Sequence, residues 1–169
     1  MRQAAMPWAP PEARAEWVES HKGAPALLAL ADRHYSRQQP GTRQCCRPGV
    51  NLVLVLRGGG AAWVVWRPIP QVGRKDGLEA WEVTLFRNET RHLSSALIEA
   101  ATEETWRRWG WPPRDGLITA VDPSATAARR SRRHEPGHCF RVAGWTETER
   151  RGELVWLRAP HPIRQERAV

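Results

Sequence analysis

Three short stretches carry side chains of the kind that move protons or hold anions. They are Arg33-His34-Tyr35-Ser36-Arg37, Arg87-Asn88-Glu89-Thr90-Arg91-His92 and Asp122-Pro123-Ser124. The second stands out by its position. It follows apolar residues that alternate through Trp81, Val83, Leu85 and partly Phe86, the pattern of a buried strand. It precedes an amphipathic helix that begins at Leu93. A strand that feeds a helix through a tight polar turn leaves free backbone N–H groups at the helix start, where partial positive charge favours anions. An active cleft is expected to open at this turn, and Arg87 can hold a carboxylate or phosphate bidentately. Tyr35 is the only tyrosine. His34 and Tyr35 are adjacent, so they should point in different directions and not stack on one face. Both reach a cleft if the preceding helix ends there, and Pro40-Gly41 marks a turn soon after. Asp122 stands at a strand end, where polar groups are commonly delivered to a cleft.

Each of these residues also has an ordinary structural reading. His34 can be a helix-end residue stabilised by the dipole. Asp122 can form an Asx-turn or cap before Pro123. Glu89 can pair with Arg87 or Arg91. Ser94 and Ser95 can be a polar first helical turn, and any one tryptophan, Trp66 and Trp145 included, can be core packing. Arg129, Arg130, Arg132 and Arg133 are four like charges in five residues, which self-repel unless they meet an anion. Phosphate-backbone contact is favoured over a solvated loop. His134 and His138 have the i,i+4 spacing of a helical metal pair, but Pro136 and Gly137 lie between them and argue against a helix. A metal at His34 with Tyr35, or at His138 with Cys139, stays open. No CxxC spacing is present, so structural zinc is not expected. Cys45, Cys46 and Cys139 do not make a disulfide framework.

The elements that must position these groups are legible in outline. Residues 1–23 read as an N-terminal extension with a short helix over about Pro11–Ser20. Residues 24–159 read as a single domain, and 160–169 as a frayed tail. A helix is expected over Ala24–Arg33. Asn51–Leu56 and Ala61–Trp66 form a hairpin about Gly58-Gly59-Gly60, which joins two strands and so is not a phosphate loop. Arg67–Leu78 is a loop. The strand Trp81–Phe86 leads to the helix, capped by Thr90 or Asn88 and stopped by Gly110. On that helix Leu93, Leu97, Ala100 and Ala101 share one side, and Glu103 pairs with Arg107. Leu117–Val121 is a strand and Ala125–Arg133 a basic helix. His138–Trp145 and Glu153–Arg158 are strands separated by the polar turn 146–152. The fold class is α/β, with a mixed, mostly antiparallel sheet flanked by helices.

The chain has 169 residues and a formal net charge of +8; Lys22 and Lys75 are the only lysines among its 26 lysines and arginines. Such a charge favours polyanions, nucleic acid above all. No apolar run approaches the ~20 residues of a membrane span, and the N-terminus lacks the apolar core of a signal peptide. A cytoplasmic protein that does not enter the membrane is expected.

The order of elements resembles that of the GNAT acyltransferases, in which a hairpin and a central strand lead to a helix that grips the cofactor pyrophosphate. The stretch Pro136-Gly137-His138-Cys139-Phe140-Arg141-Val142-Ala143-Gly144-Trp145 looks like a further GNAT region. That family usually places a glycine-bearing turn before the helix. Here the turn is Arg87–Leu93, without glycine and with Glu89 where a pyrophosphate would sit. A narrower resemblance rests on His34-Tyr35, Phe86-Arg87-Asn88-Glu89, His92-Leu93-Ser94-Ser95, Val121-Asp122-Pro123 and the Pro-Gly-x-Cys-aromatic segment. Together these look like the Mom DNA-modification proteins of bacteriophages and their bacterial relatives.

The Mom resemblance implies a GNAT-like fold and transfer of a carbamoylmethyl group to the exocyclic amine of adenine in DNA, which blocks restriction. It implies DNA and a small-molecule donor as partners, with an acyl-CoA-type donor or an iron ion as possible cofactors. It marks His34, Tyr35, Ser94, Ser95 and Asp122 as catalytic candidates. Within that chemistry His34 would act as base, Tyr35 as hydrogen-bond partner, and Asp122 would orient His34 or the amine. Arg87, Asn88 and Glu89 would line the donor or substrate pocket, Asn88 reading a base edge. Trp145 or Trp66 would stack on a flipped base. Two rival readings remain. One is an ordinary acetyl-CoA-dependent N-acyltransferase; the other is a non-catalytic basic DNA-binding module.

Overall fold

The computed structural model describes residues 15–127 and 133–163. Its elements in order are β1 (Trp17–Ser20), α1 (Pro25–Ala31), β2 (Val50–Leu56), β3 (Ala61–Arg67), β4 (Trp81–Asn88), α2 (Ser94–Trp109), β5 (Leu117–Val121), α3 (Pro123–Thr126), α4 (His138–Val142), β6 (Thr146–Arg151) and β7 (Leu154–Arg158). The seven strands form one sheet in the order β1-β2-β3-β4-β5-β7-β6. Only β4 and β5 pair in parallel; every other neighbouring pair is antiparallel. The protein is thus mixed α/β, with an open and mostly antiparallel sheet. No helix among the described residues is long and apolar enough to cross a membrane.

The continuous apolar runs of β2 and β3 follow from burial on both faces. Leu52, Leu54, Trp63 and Val65 face a core completed by Leu97, Ile98 and Ala101 of α2 and by Phe140 of α4. Val53, Ala62 and Val64 face the opposite way, onto Leu27, Leu30 and Ala31 of α1. Trp63 is fully buried, and its indole N–H donates to Thr105 Oγ1 at 3.2 Å. Phe86, Phe140 and Trp145 surround it edge-on or stacked.

Strand β4 carries one irregularity. Val64 pairs with Leu85 but Val65 pairs with Val83, so Thr84 is an extra residue with no partner in β3. This β-bulge turns Val83 toward the α2 core and Leu85 toward the α1 core, although the two are only two residues apart.

Several sequence expectations are corrected. Residues 17–20 are an edge strand, not the end of a helix, because they pair with Val53–Leu56 and Trp17 donates to Leu97 O at 3.1 Å. Residues 138–142 are helical, not a strand. Gly137 turns the chain at φ 76°, and the helix inserts Phe140 into the core while Val142 stays exposed. Residues 146–151 form strand β6, not a turn. It is a solvated edge whose charged side chains hide its backbone pairing from any apolar pattern, and such charge protects an edge from further pairing. On α2, Leu93 is exposed rather than part of the apolar side, and Arg107 pairs with Glu104, not Glu103. The final residues of the expected tail, 164–169, and residues 11–14 of the expected N-terminal helix lie outside the described residues.

Thr105 also donates to Ala101 O, so its hydroxyl serves two buried groups. Thr105→Val keeps the shape but leaves the Trp63 N–H without an acceptor. It should lower stability by about 1–3 kcal/mol. Urea unfolding should show this as a lower midpoint with an unchanged slope.

Candidate active cleft

Strands β4 and β5 share only three residue pairs, Trp81–Leu117, Glu82–Ile118 and Val83–Thr119. Thr119 Oγ1 donates to Val83 O at 3.0 Å where the pairing ends. Beyond that point the strands part, and the ladder no longer joins the two backbones. A cavity of about 330 Å³ occupies the split, a size found among small-molecule sites. Its walls include Thr84–Asn88 of β4, Thr119–Val121 of β5, Ser94 at the start of α2, and His138–Phe140 of α4.

The segment after α1 crosses this split. The Tyr35 hydroxyl donates to Ala120 O at 3.3 Å, and Ser36 Oγ to Thr84 O at 3.4 Å. Side chains of consecutive residues thus meet carbonyls of both parted strands, one of them at the bulge. His34 and Tyr35 do stack, with ring centroids 4.4 Å apart and planes at 28°, contrary to the expectation for adjacent residues. The helix ends at Ala31, and the turn after it lets neighbouring side chains lie parallel, which a helix or strand would forbid.

The backbone N–H of Ser36 donates to His34 Nδ1 at 3.2 Å, and Ser36 Oγ lies 2.8 Å from the same nitrogen. Nδ1 is therefore an acceptor, which puts the proton of the neutral ring on Nε2. With Nδ1 occupied by the Ser36 N–H, that nitrogen does not serve as a base. Tyr35 is 45% exposed. Burial of its hydroxyl end raises its pKa, against a smaller lowering by a backbone hydrogen bond from Asp122, so the phenol stays protonated.

The polar turn is built differently from the expectation. Asn88 Oδ1 accepts from Thr90 N at 2.8 Å and Thr90 Oγ1 at 2.7 Å, while Nδ2 donates to His92 O at 2.8 Å and Ser94 Oγ at 3.1 Å. These four bonds match the capacity of a side-chain amide, so Asn88 organises the turn instead of reading a ligand edge. Neither Asn88 nor Thr90 caps α2. Leu93 holds the cap position, with no side-chain cap bond. Glu89 accepts both arms of Arg33, at 2.8 and 2.7 Å, and Nε of Arg87 at 2.5 Å. Arg87 also donates to the carbonyl of Arg33. Arg87 and Glu89 therefore clamp the segment that carries His34; they do not wait for an external anion.

Comparison with protein-family models, with curated proteins and with solved structures gives no match.

Of the expected site residues, His34, Tyr35, Arg87, Asn88 and Ser94 line the cleft; Glu89, Ser95, Asp122 and Trp145 do not. Asp122 Oδ1 accepts from Ser124 N and Ala125 N, the helix-cap role. Trp145 is 2% exposed and packs on Trp63 and Phe140, so it offers no stacking surface. Trp66 lies between Arg47 and Arg74, away from the cleft. Arg133 is exposed and outside the cleft. Arg129, Arg130 and Arg132 lie outside the described residues.

The sequence underrated His134 and His138. Their rings stack at 3.8 Å with planes 11° apart, and both line the cleft beside Cys139, whose thiol pKa burial pushes up. Their spacing was the available signal, and the turn about Gly137 does what a helix would have done. Parallel rings keep their in-plane lone pairs in separate planes, so the pair cannot converge on one metal ion. No group of three or more His, Cys, Asp or Glu suited to a metal occurs among the described residues. His34 offers no free lone pair either, since Nδ1 already accepts the Ser36 N–H. The residues present do not fit the iron ion that the Mom resemblance allows.

Glu89 carries the clearest pH dependence. The hydrogen bonds from Arg33, and then Arg87, lower its pKa from the usual 4.5 to about 2. A depressed carboxylate contributes stability above its unfolded value and loses it as pH falls through the folded value. The Glu89 contribution should therefore be complete above about pH 4.5 and vanish toward pH 2. Glu89→Gln should be less stable than wild type at neutral pH, by about 1 kcal/mol after solvent screening. The gap should close across that window in thermal melts.

Proposed function

We propose that this chain is a DNA-modifying transferase of the Mom type, which adds a carbamoylmethyl-like group to the exocyclic amine of adenine. The observation that carries the reading is the stacked His34–Tyr35 pair, pinned across the parted ends of β4 and β5 and facing a cleft with Ser94, His134 and His138. The GNAT-like fold that goes with it is supported by the order of elements. A hairpin and a central strand lead into the long helix, and a further strand, short helices and a terminal hairpin complete the sheet.

The cleft suits a planar, hydrogen-bonding substrate. Two stacked ring pairs, His34–Tyr35 and His134–His138, stand in its wall with Phe86 and Phe140. A base drawn from a duplex loses stacking worth a few kcal/mol, and such faces restore part of it. The exocyclic amine of adenine is a weak nucleophile and must be oriented as it attacks. The Nε2–H of His34 would donate to a ring nitrogen of the base or to the carbonyl of the incoming group. Tyr35, kept protonated, would position rather than ionise. The new N–C bond would form as the bond between the group and its donor carrier breaks, the carrier leaving with that electron pair, and the proton released by the amine would pass to His134 or His138, the other imidazoles in the wall. The net charge of +8 favours the polyanionic substrate.

An acyl-CoA-dependent N-acyltransferase acting on another amine is the second reading, and one observation favours it. The start of α2 borders the cleft through Ser94; its first N–H groups, like those of any helix, lack intrahelical acceptors, and the cap residue Leu93 supplies no side-chain acceptor. They would suit a donor phosphate.

Mass spectrometry of nucleosides from plasmid DNA, after expression in a bacterial host, separates the two. The Mom reading expects a heavier adenosine whose yield falls about 10-fold or more in Tyr35→Phe and further in His34→Ala. Unmodified DNA together with saturable acetyl-CoA binding would replace it with the second reading. Salt-dependent DNA binding with neither would leave a DNA-binding module.

A further inference from the structure

Away from the cleft, Cys45 and Cys46 stand side by side in the loop before β2. Their sulfurs are 3.7 Å apart. Cys46 is buried against Ala24, Leu27 and Leu30 of the α1 core, while Cys45 is half-buried and lies 3.4 Å from the carbonyl of Lys22. We propose that this vicinal pair is a chelating site for a thiophilic divalent cation such as Zn²⁺.

Two geometric facts favour a chelate over a disulfide. Adjacent Cα atoms are about 3.8 Å apart, short of the ~4.4–6.8 Å that a relaxed disulfide spans. Ring closure between neighbours is therefore strained. Two thiolates on one tetrahedral Zn²⁺ at about 2.3 Å, by contrast, are separated by about 3.7–3.8 Å. The observed sulfur spacing needs almost no adjustment to match it. Binding breaks two S–H bonds and forms two Zn–S bonds, and both protons go to solvent. Water or an external thiol completes the coordination. The thiols are unequal in access: Cys45 is half-buried and Cys46 buried. Cys45 is then the first ligand, and the cation's own charge draws the proton from Cys46.

Occupancy would reach the rest of the loop. Arg37, which follows the cleft segment directly, donates to the carbonyls of Thr42 and Gln44 and to Asp32. Cross-linking residues 45 and 46 fixes the far end of that same loop.

The test is a Cd²⁺ titration of the full chain, followed by the ultraviolet thiolate-to-metal charge-transfer band and by thermal melting. Wild type should bind one equivalent, and its melting temperature should rise with Cd²⁺ concentration. Cys45→Ser should weaken binding at least ~10-fold and reduce the band, and Cys46→Ala should do the same. Cys139→Ser should bind like wild type. The melting curve without cation shows that each variant is folded. Wild type without the band, or Cys45→Ser binding as tightly as wild type, would overturn the proposal. So would a folded Cys139→Ser that has lost the band.

Discussion

The parting of β4 from β5 is the constraint on which the rest of this structure depends. A sheet whose central parallel pair stops after three residue pairs leaves backbone groups facing one another across a gap. Unmet buried carbonyls and amides cost free energy, so something must enter. Here the chain after α1 supplies it: the Tyr35 hydroxyl meets Ala120 O and Ser36 Oγ meets Thr84 O. Those two bonds require α1 to end at Ala31 and the next turn to sit at a fixed height on the sheet. The bulge at Thr84 belongs to the same arrangement, since it is where β4 drops one partner in β3 just as it leaves β5.

The clamp around Glu89 extends the same logic. Arg33 and Arg87 converge on one carboxylate, and Arg87 also holds the Arg33 carbonyl. In a chain so rich in arginine, the turn after the central strand would otherwise gather like charges. Glu89 turns them into a tie between β4 and the cleft segment. Asn88 does the equivalent work for the turn's backbone, saturating its own amide on Thr90, His92 and Ser94. The turn is thus rigid through side chains, where a glycine-rich loop would expose backbone N–H groups.

How much of this was legible depended on whether the determining contact was local. Strand β5, the β2–β3 hairpin and the core of α2 follow from apolar periodicity and glycine punctuation, which are local. The edge strand β6 was invisible, because its residues Thr146–Arg151 are polar and its only reason to be extended is its partner β7. Helix α4 is hidden in the sequence, because Cys139, Phe140 and Val142 suit a strand until Phe140 finds the ring of Trp63. At the site, His34, Tyr35 and Ser94 line the cleft, and the pairing of Glu89 with Arg87 is among the readings that residue type allows. Asn88 differs: its type fits ligand binding, and only the fold reveals that its bonds are already made. The stack of His34 on Tyr35 contradicts a rule that holds inside regular elements and lapses in a turn.

The tautomer of His34 has the widest chemical consequence. A histidine in a cleft is first thought of as a base, but Ser36 N–H occupies Nδ1 and so sets Nε2 as the donor. If His34 gives a hydrogen bond, the proton of an attacking amine needs another acceptor, and the other imidazoles in the wall are His134 and His138. They are reached from the opposite face of the sheet, since α4 packs with α2 while the His34 segment follows α1. Donor and acceptor then approach the reacting group from two sides, and that is possible only because the sheet is split between them. In the proposed transfer, the gap that the fold had to fill is therefore also what lets two separate segments act on one bound base.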